Sequence, residues 1–472
     1  MAHKMNEPRA ARFPVKTEGS VAYVVLLTLV AALGGLLFGY DTAVISGAIG
    51  FLKMRFALDN LQAGWAASCA LVGCILGACV AGTLADHLGR RKVLLVSAVL
   101  FAVSAAGSAV PRNLTELVIA RILGGIGIGI ASMTSPLYIA EVSPARMRGR
   151  LVSVNQFAII FGMLVVYFVN ARVARMGDDA WNVAVGWRWM FGSGILPAVV
   201  FLALLFFVPE SPRWLIKQDR PDEALAILAR VGGSQEAPLE VARIQEAITH
   251  EGGSFADLFR PGMRLPLAIG VVLAILQQVT GINTVLYYAP EIFKKAGLMT
   301  TAAMDFTVLV GVVNLVFTIV AIGVVDLLGR KPLLLIASAG MGISLFVLGT
   351  ALNQRKLEGP WVVGSVLVYV AAFAIAMGPV VWVVMSEIFP TRIRGRAMSV
   401  ATVCLWISCF LVSQFFLVML QKLSGYAFFV YGGMCVVAFV FVLACVPETK
   451  GKSLEEIEQG WLVSAARDAG CT

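Results

Sequence analysis

The chain is 472 residues long, 59% of them hydrophobic and only 14% charged. Soluble domains carry about 25% charged residues, so this composition, with a mean hydropathy of +0.86, excludes an ordinary soluble fold. A net charge of +9 would suggest nucleic acid as a partner of a soluble protein; here it is expected in membrane-flanking loops, with no nucleic-acid partner implied.

Residues 1–20 are polar and basic and lack the pattern of a cleavable signal, so the apolar run after them is expected to be retained as a span. Runs long enough to cross about 30 Å of hydrocarbon lie near 21–49, 63–84, 93–110, 115–137, 151–171 and 189–208. A second set lies near 266–289, 304–325, 332–352, 361–385, 397–420 and 427–446. The predicted fold class is an all-α membrane protein of twelve transmembrane helices. Two six-helix halves, 21–209 and 266–447, follow a cytoplasmic N-terminus, 1–20. The polar segment 210–265 reads as a cytoplasmic linker, with one short helix from Pro221 and another through Val241, Ile244 and Ile248. The tail 448–472, with Leu454 and Ile457 among glutamates, looks similar. Lys and Arg favour the loops on the side of both termini, notably Arg90-Arg91-Lys92 and Arg146/Arg148/Arg150, which places both termini in the cytoplasm.

Three motifs recur about 240 residues apart. Asp86-His87-Leu88-Gly89-Arg90-Arg91-Lys92 returns as Asp326-Leu327-Leu328-Gly329-Arg330-Lys331. Glu141 through Arg150 returns as Glu387 through Arg396, and Pro209-Glu210-Ser211-Pro212-Arg213 as Pro447-Glu448-Thr449-Lys450. Each follows the same span of its half, so the halves are parallel repeats with a site expected between them near the midplane. Asp86, Arg90, Glu141, Arg148, Glu210 and Arg213, with Asp326, Arg330, Glu387, Arg394 and Glu448, are candidates for a cytoplasmic gate. Solvated loop charges, usually contributing about 0–1 kcal/mol each, are the alternative.

Asp41 is the sole acid of the first apolar run, where insertion scales put its cost at about 2.5–3.5 kcal/mol. The mid-membrane cation of the fourth run is Arg121, followed by Gly124, Gly125, Gly127 and Gly129, which permit close helix approach. An ion pair between them is expected. Burial favours the neutral acid and the guanidinium favours the carboxylate, so moving either would toggle a proton. A static structural pair is the other reading.

The seventh run carries Gln277, Gln278, Asn283, Tyr287 and Tyr288. Amides and phenols both donate and accept, which suits sugar hydroxyls, though interhelical amide bonds are the alternative. In a straight helix at 100° per residue the two glutamines would point away from Asn283, so a break is expected at Thr280-Gly281. Tyr288 is read as packing. Gln156 and Asn314 are lone polar residues that fit either reading. Trp382, after a bend at Gly378-Pro379, and Trp406 offer flat faces and an N–H to a pyranose, with Phe38 one turn before Asp41.

Taken in order, these motifs resemble the sugar porter branch of the major facilitator superfamily, including its bacterial xylose–proton symporters and glucose facilitators, from Gly34 to Ser453. The most specific marks are Pro209-Glu210-Ser211-Pro212-Arg213-Trp214-Leu215, Gln277-Gln278-Val279-Thr280-Gly281-Ile282-Asn283 and Pro447-Glu448-Thr449-Lys450-Gly451. The resemblance implies proton-coupled sugar symport by alternating access, with Asp41 and Arg121 as the coupling pair. It implies Phe38, Gln156, Gln277, Gln278, Asn283, Tyr287, Asn314, Gly378, Trp382 and Trp406 as sugar contacts. Its proton-coupled members carry Asp at position 41 and its facilitators Asn. Xylose symporters of the family carry a second carboxylate early in span six, where this chain has Gly194. They also have polar or bulkier residues at Met163, Leu405 and Ala376-Met377, so the implied substrate leans to a hexose over xylose. Protons are the coupling ion; no metal, cofactor or enzymatic activity is expected. The partners are a monosaccharide and the bilayer of a bacterial inner membrane, with the chain acting as a monomer. An uncoupled facilitator on the same fold is the main rival. A sugar sensor would carry a longer signalling tail, and a membrane enzyme would carry a nucleophile, metal ligands or paired acids in its spans.

Overall fold

The computed structural model of the protein describes residues 19–249, 255–260, 262–354, 359–389, 393–451, 456 and 461, without the side chains of 255, 256 and 326. Among them, 12 helices are long and apolar enough to cross a membrane. The first half holds α1 (Val21–Arg55), α2 (Asn60–Leu88), α3 (Arg90–Ala109), α4 (Leu114–Val142), α5 (Arg148–Ala174) and α6 (Asp179–Leu205). The second holds α7 (Arg264–Lys295), α8 (Thr300–Leu328), α9 (Arg330–Asn353), α10 (Pro360–Ile388), α11 (Arg394–Leu423) and α12 (Tyr426–Cys445). No strand occurs among the described residues, in keeping with the expected all-α class.

α6 starts well before its apolar run. Asp178 caps it by accepting from the Trp181 N–H at 2.8 Å, and a wide π-helical turn spans Asn182–Gly186. Arg188 lies inside the helix because it donates to the Ala109 and Pro111 carbonyls at 3.0 and 3.1 Å, satisfying the end of α3. Its charge masks that first stretch in hydropathy. In the linker, Pro221 takes the first turn of helix Pro221–Gly232 and a second helix covers Ala237–Thr249. A third, Pro212–Lys217, was not expected; Ser211 caps it, and Trp214, Leu215 and Ala224 pack with Val241, Ile244 and Ile248. Leu454 and Ile457 of the tail lie outside the described residues.

Within the first half, helices meet backbone to backbone. A Cβ at Gly125 of α4 would stand 1.9 Å from the Ala70 carbonyl oxygen of α2, and one at Gly73 of α2 would stand 2.1 Å from the Ile122 oxygen of α4. Gly39 of α1 approaches the Ile159 carbonyl of α5 as closely, at 1.8 Å. In hydrocarbon, where lipid is as apolar as leucine, such close packing is the main source of helix association. The glycine face of α4 also lets Arg121 reach Asp41 of α1, with Gly124 lying against the carboxylate.

The halves interlock at the end opposite the repeated charged motifs. There Gln414 of α11 donates to the Leu61 carbonyl of α2 at 2.9 Å and accepts from Ser68 at 2.7 Å, and Asn60 bonds Gln421. Arg175 of α5 pairs with Asp305 of α8, and the Tyr167 hydroxyl donates to the Leu286 carbonyl of α7 at 2.8 Å. Toward the charged-motif end of the same helices, a Cβ added at Gly82 of α2 or Gly323 of α8 would meet nothing within 4 Å.

Candidate functional site

Asp41 lies near the middle of α1, and Arg121 about two turns into α4. Arg121 Nη1 donates to Asp41 Oδ1 at 2.8 Å, and Nη2 to the Asp41 carbonyl at 3.0 Å. The Arg121 side chain is 1% exposed and that of Asp41 13%. The Phe191 ring of α6 covers the guanidinium at 5.5 Å. Asp41 Oδ2 and Arg121 Nε are buried with no hydrogen-bond partner. A buried pair with unspent valences is held less tightly than a fully satisfied one. A side chain at Gly194 would emerge between Ala105 and Tyr40, whose hydroxyl is hydrogen-bonded to Ser193 at 2.7 Å. No second carboxylate stands there.

α7 is broken where its polar residues require it. Gly281 takes φ 96°, a left-handed conformation that glycine adopts without strain, and the chain resumes as a helix at Ile282. The Tyr369 hydroxyl of α10 donates to the freed Thr280 carbonyl at 2.9 Å. The break brings the amides into one relay. Gln277 Nε2 donates to the Met377 and Gly378 carbonyls at 2.8 and 3.0 Å, Gln278 Nε2 to Gln277 Oε1 at 3.2 Å, and Asn283 Nδ2 to Gln278 Oε1 at 2.6 Å. The same Asn283 amide lies 3.1 Å from Cys409 Sγ, against which the Tyr287 hydroxyl also sits. Tyr288 turns away and donates to the Ser413 carbonyl at 2.9 Å, as packing requires.

Trp406 and Trp382 lie one turn from Cys409 and Gly378, the points where α11 and α10 meet the relay. Phe38 and Trp406 have ring centroids 5.6 Å apart across the two halves, and the Trp406 indole N–H is buried without a partner. Trp382 follows a π-helical turn at Phe373–Met377 and the bend at Gly378, and is half-buried. Asn314 of α8 is buried and Gln156 of α5 half-buried. Met163 and Leu405 are buried apolar positions. Cys409 escaped the sequence reading, because cysteine in an apolar helix reads as a small hydrophobe.

The repeated charges form one cluster per half. Arg90 donates from Nε and Nη2 to both Glu141 oxygens at 2.9 Å, and from Nη1 to Asp86 at 3.3 Å. Glu210 accepts the Arg90 backbone N–H at 2.8 Å and that of Arg91 at 3.1 Å, capping the start of α3. In the second half Arg330 donates to Glu387 at 2.9 Å, while Glu448 accepts the Arg330 and Lys331 backbone N–H groups at 3.1 Å, capping α9. Gly89 and Gly329 sit between, with φ 92° and 90°, and a Cβ on either would strike the capping glutamate at 2.4 or 2.8 Å. That explains the glycine of both motifs. None of the described ion pairs at this end joins the two halves. Arg148, expected among the gate charges, reaches Glu240 of the linker at 3.7 Å instead, because the linker helix lies nearer than the other half. Arg394 Nε donates to the Phe389 carbonyl at 3.2 Å, Arg213 lies in the first turn of the linker helix Pro212–Lys217, and the Asp326 side chain lies outside the described residues.

Partial burial pushes the Glu448 pKa up, but the backbone N–H groups of Lys450, Arg330, Lys331 and Thr449 outweigh it and hold the carboxyl below its ordinary value. A carboxyl depressed on folding stabilises above its unfolded pKa, and that contribution is lost as pH falls through the folded value. Glu448→Gln is therefore expected to lower the thermal midpoint at pH 7 by about 1–2 °C. It should also flatten the loss of stability between neutral and acid pH, read by thermal unfolding of purified protein at both.

A family model described as "Sugar (and other) transporter" matches residues 27–461. The chain is 43% identical over 451 residues to the arabinose-proton symporter of Bacillus subtilis (strain 168), covering 95% of this chain and 97% of that one. It is 46% identical over 483 residues to the D-xylose-proton symporter of Escherichia coli (strain K12), with the same coverage of 95% and 97%. Among solved structures, the inward-open conformation of the xylose transporter XylE from E. coli matches with a TM-score of 0.83 and 45% identity, over 93% of this chain and 100% of that one. Motifs, fold and relatives agree: this multi-pass membrane protein belongs to the sugar transporter family of the major facilitator superfamily.

Proposed function

We propose that the protein is a proton-coupled monosaccharide symporter that works by alternating access, with Asp41 and Arg121 as its protonation switch. The observation that carries the reading is a single carboxylate at mid-span, tied to a single guanidinium and otherwise unsatisfied, in the half that faces the amide relay. Protonation of Asp41 removes the charge that holds Arg121. The two protonation states then favour different arrangements of α1 and α4, and that difference is what coupling requires. The relay of Gln277, Gln278 and Asn283, with Trp406 and Phe38 beside it, supplies donors, acceptors and flat apolar faces for a sugar. The unpartnered indole N–H of Trp406 is a donor in want of a hydroxyl. Gln156, Asn314, Tyr287 and Trp382 complete the binding set. Relatives named as arabinose and xylose symporters support the substrate class and the coupling ion. The buried apolar residues Met163 and Leu405 favour a hexose over xylose.

The charged-motif end is cytoplasmic, as are both termini, and one chain suffices, because the two halves together build the whole site. With the helices interlocked at the far end and both termini cytoplasmic, the protein would face inward, where Arg90 pairs with Asp86 and Glu141 in one half and Arg330 with Glu387 in the other. Closing the cytoplasmic side would bring the two clusters together as the gate.

A facilitator on the same fold is the second reading. Purified protein in proteoliposomes, given labelled glucose, galactose, xylose or arabinose with and without an inward proton gradient, separates the two. Accumulation of at least one sugar above equilibrium only with the gradient supports symport. Equilibration at the same final level in both conditions supports facilitation.

A further inference from the structure

Asp41 offers two oxygens, and only one is free to take a proton while Arg121 remains bound. That oxygen, Oδ2, is buried and has no partner. It faces the missing side chain of Gly124: a Cβ there would stand 3.2 Å from Asp41 Oδ2 and 2.3 Å from Ser104 Oγ of α3. The two oxygens are thus no farther apart than two hydrogen bonds through one water span, each about 2.8 Å.

Ser104 is fully buried and its hydroxyl is unpartnered. Ser108, one turn on along the same face of α3, is 1% exposed and unpartnered too. Buried serines in helices ordinarily spend the hydroxyl on a carbonyl of the preceding turn, as Ser97 of the same helix does to Leu94 at 2.9 Å. Ser104 and Ser108 do not. Two buried hydroxyls, a carboxylate oxygen and Arg121 Nε, all unpartnered between α1, α3 and α4, are the polar lining that a buried water needs.

We infer that Ser104 and Ser108 form a hydroxyl-and-water relay by which protons reach Asp41 Oδ2 from the end of the membrane where α3 terminates, apart from the sugar path. A hydronium at that end gives up its proton; each water or hydroxyl accepts one and passes its own on. The last forms the O–H bond of Asp41, and the net change is one proton moved from bulk to Oδ2. The relay itself holds no ionisable group. The titratable groups that interact with Asp41 are Arg121 from α4 and Cys69 and Cys74 from α2; Tyr40 of its own helix is bonded to Ser193 instead, and Tyr287 of α7 lies across Arg121. Phe191 of α6 is apolar, and α3 contributes hydroxyls alone.

This inference rests on the symport reading and is tested beside it. In proteoliposomes, Ser104→Ala is expected to slow the initial rate of gradient-driven sugar uptake about tenfold, the scale of a lost proton-transfer group. Sugar exchange at equal pH should stay close to wild type. Ser108→Ala should shift the same ratio in the same direction, and carries the test if Ser104→Ala fails to fold. Gradient-driven uptake at the wild-type rate in a variant that exchanges normally overturns the relay and leaves symport intact. Uptake and exchange falling together also overturn it, since they mark a structural role. Wild-type uptake indifferent to a proton gradient overturns both.

Discussion

Arg121→Ala is expected to destabilise the protein by about 3–5 kcal/mol, the usual range when one partner of a buried ion pair is removed. The carboxylate of Asp41 would lose the charge-assisted bond to Oδ1 at 2.8 Å and the support that Arg121 gives its backbone carbonyl at 3.0 Å. No charged group replaces them: α3 presents hydroxyls alone, and Phe191, which covers the guanidinium, would face a void. The penalty belongs to the charge left behind rather than to the arginine's packing. Adding Asp41→Asn to Arg121→Ala should therefore recover most of the loss, because a neutral amide leaves no unpaired charge. Thermal unfolding of the four proteins in one detergent measures the coupling. Additive losses in the double variant would mean that the two side chains do not stabilise each other.

Gly125→Ala is also expected to disrupt the first half, although alanine favours a helix over glycine by about 1 kcal/mol. The new methyl would sit 1.9 Å from the Ala70 carbonyl oxygen and 2.9 Å from the Gly73 Cα, both of them backbone. Neither can rotate away, so α2 and α4 must part. Overpacking of this kind costs roughly 1–3 kcal/mol or more and outweighs the propensity gain. Arg121, one turn earlier on α4, would move with its helix, so transport should fall with stability. Gly82→Ala, on α2 where a Cβ meets nothing within 4 Å, is the matched control and should be neutral or slightly stabilising. Size-exclusion profiles and thermal midpoints of the two variants decide it. A well-folded Gly125→Ala protein with the wild-type midpoint would contradict the packing described.

Much of this architecture is legible in residues because membranes make charge and polarity conspicuous. Asp41 and Arg121 stand out as single charges in apolar spans, and the structure brings them together through glycines that the sequence also displays. The break at Gly281 follows from geometry: glutamines and an asparagine cannot share one ligand along a straight helix, and only a left-handed glycine lets the chain turn between them. The repeated motifs reveal two halves, since each recurs after the same span. Other features leave no such mark. Cysteine at 409 accepts from Asn283, but in a run of apolar residues it looks like filler. Ser104 looks like any helix serine until its missing partner is seen. The start of α6 hides behind Arg188, whose partners are carbonyls at the end of α3. The motif charges form pairs inside each half because each capping glutamate closes on the helix start nearest it, a matter of chain path rather than residue type.

In the proposed mechanism the proton carried by Asp41, held or released by Arg121, drives the sugar uphill. Asp41→Asn separates that role from binding, since asparagine keeps the size and hydrogen-bonding of the side chain but cannot exchange a proton. In proteoliposomes with an inward proton gradient, the variant should equilibrate labelled sugar without concentrating it, while exchange across the same membrane persists near the wild-type rate. Accumulation by Asp41→Asn to the wild-type level would contradict the account, for the coupling proton would then reside elsewhere.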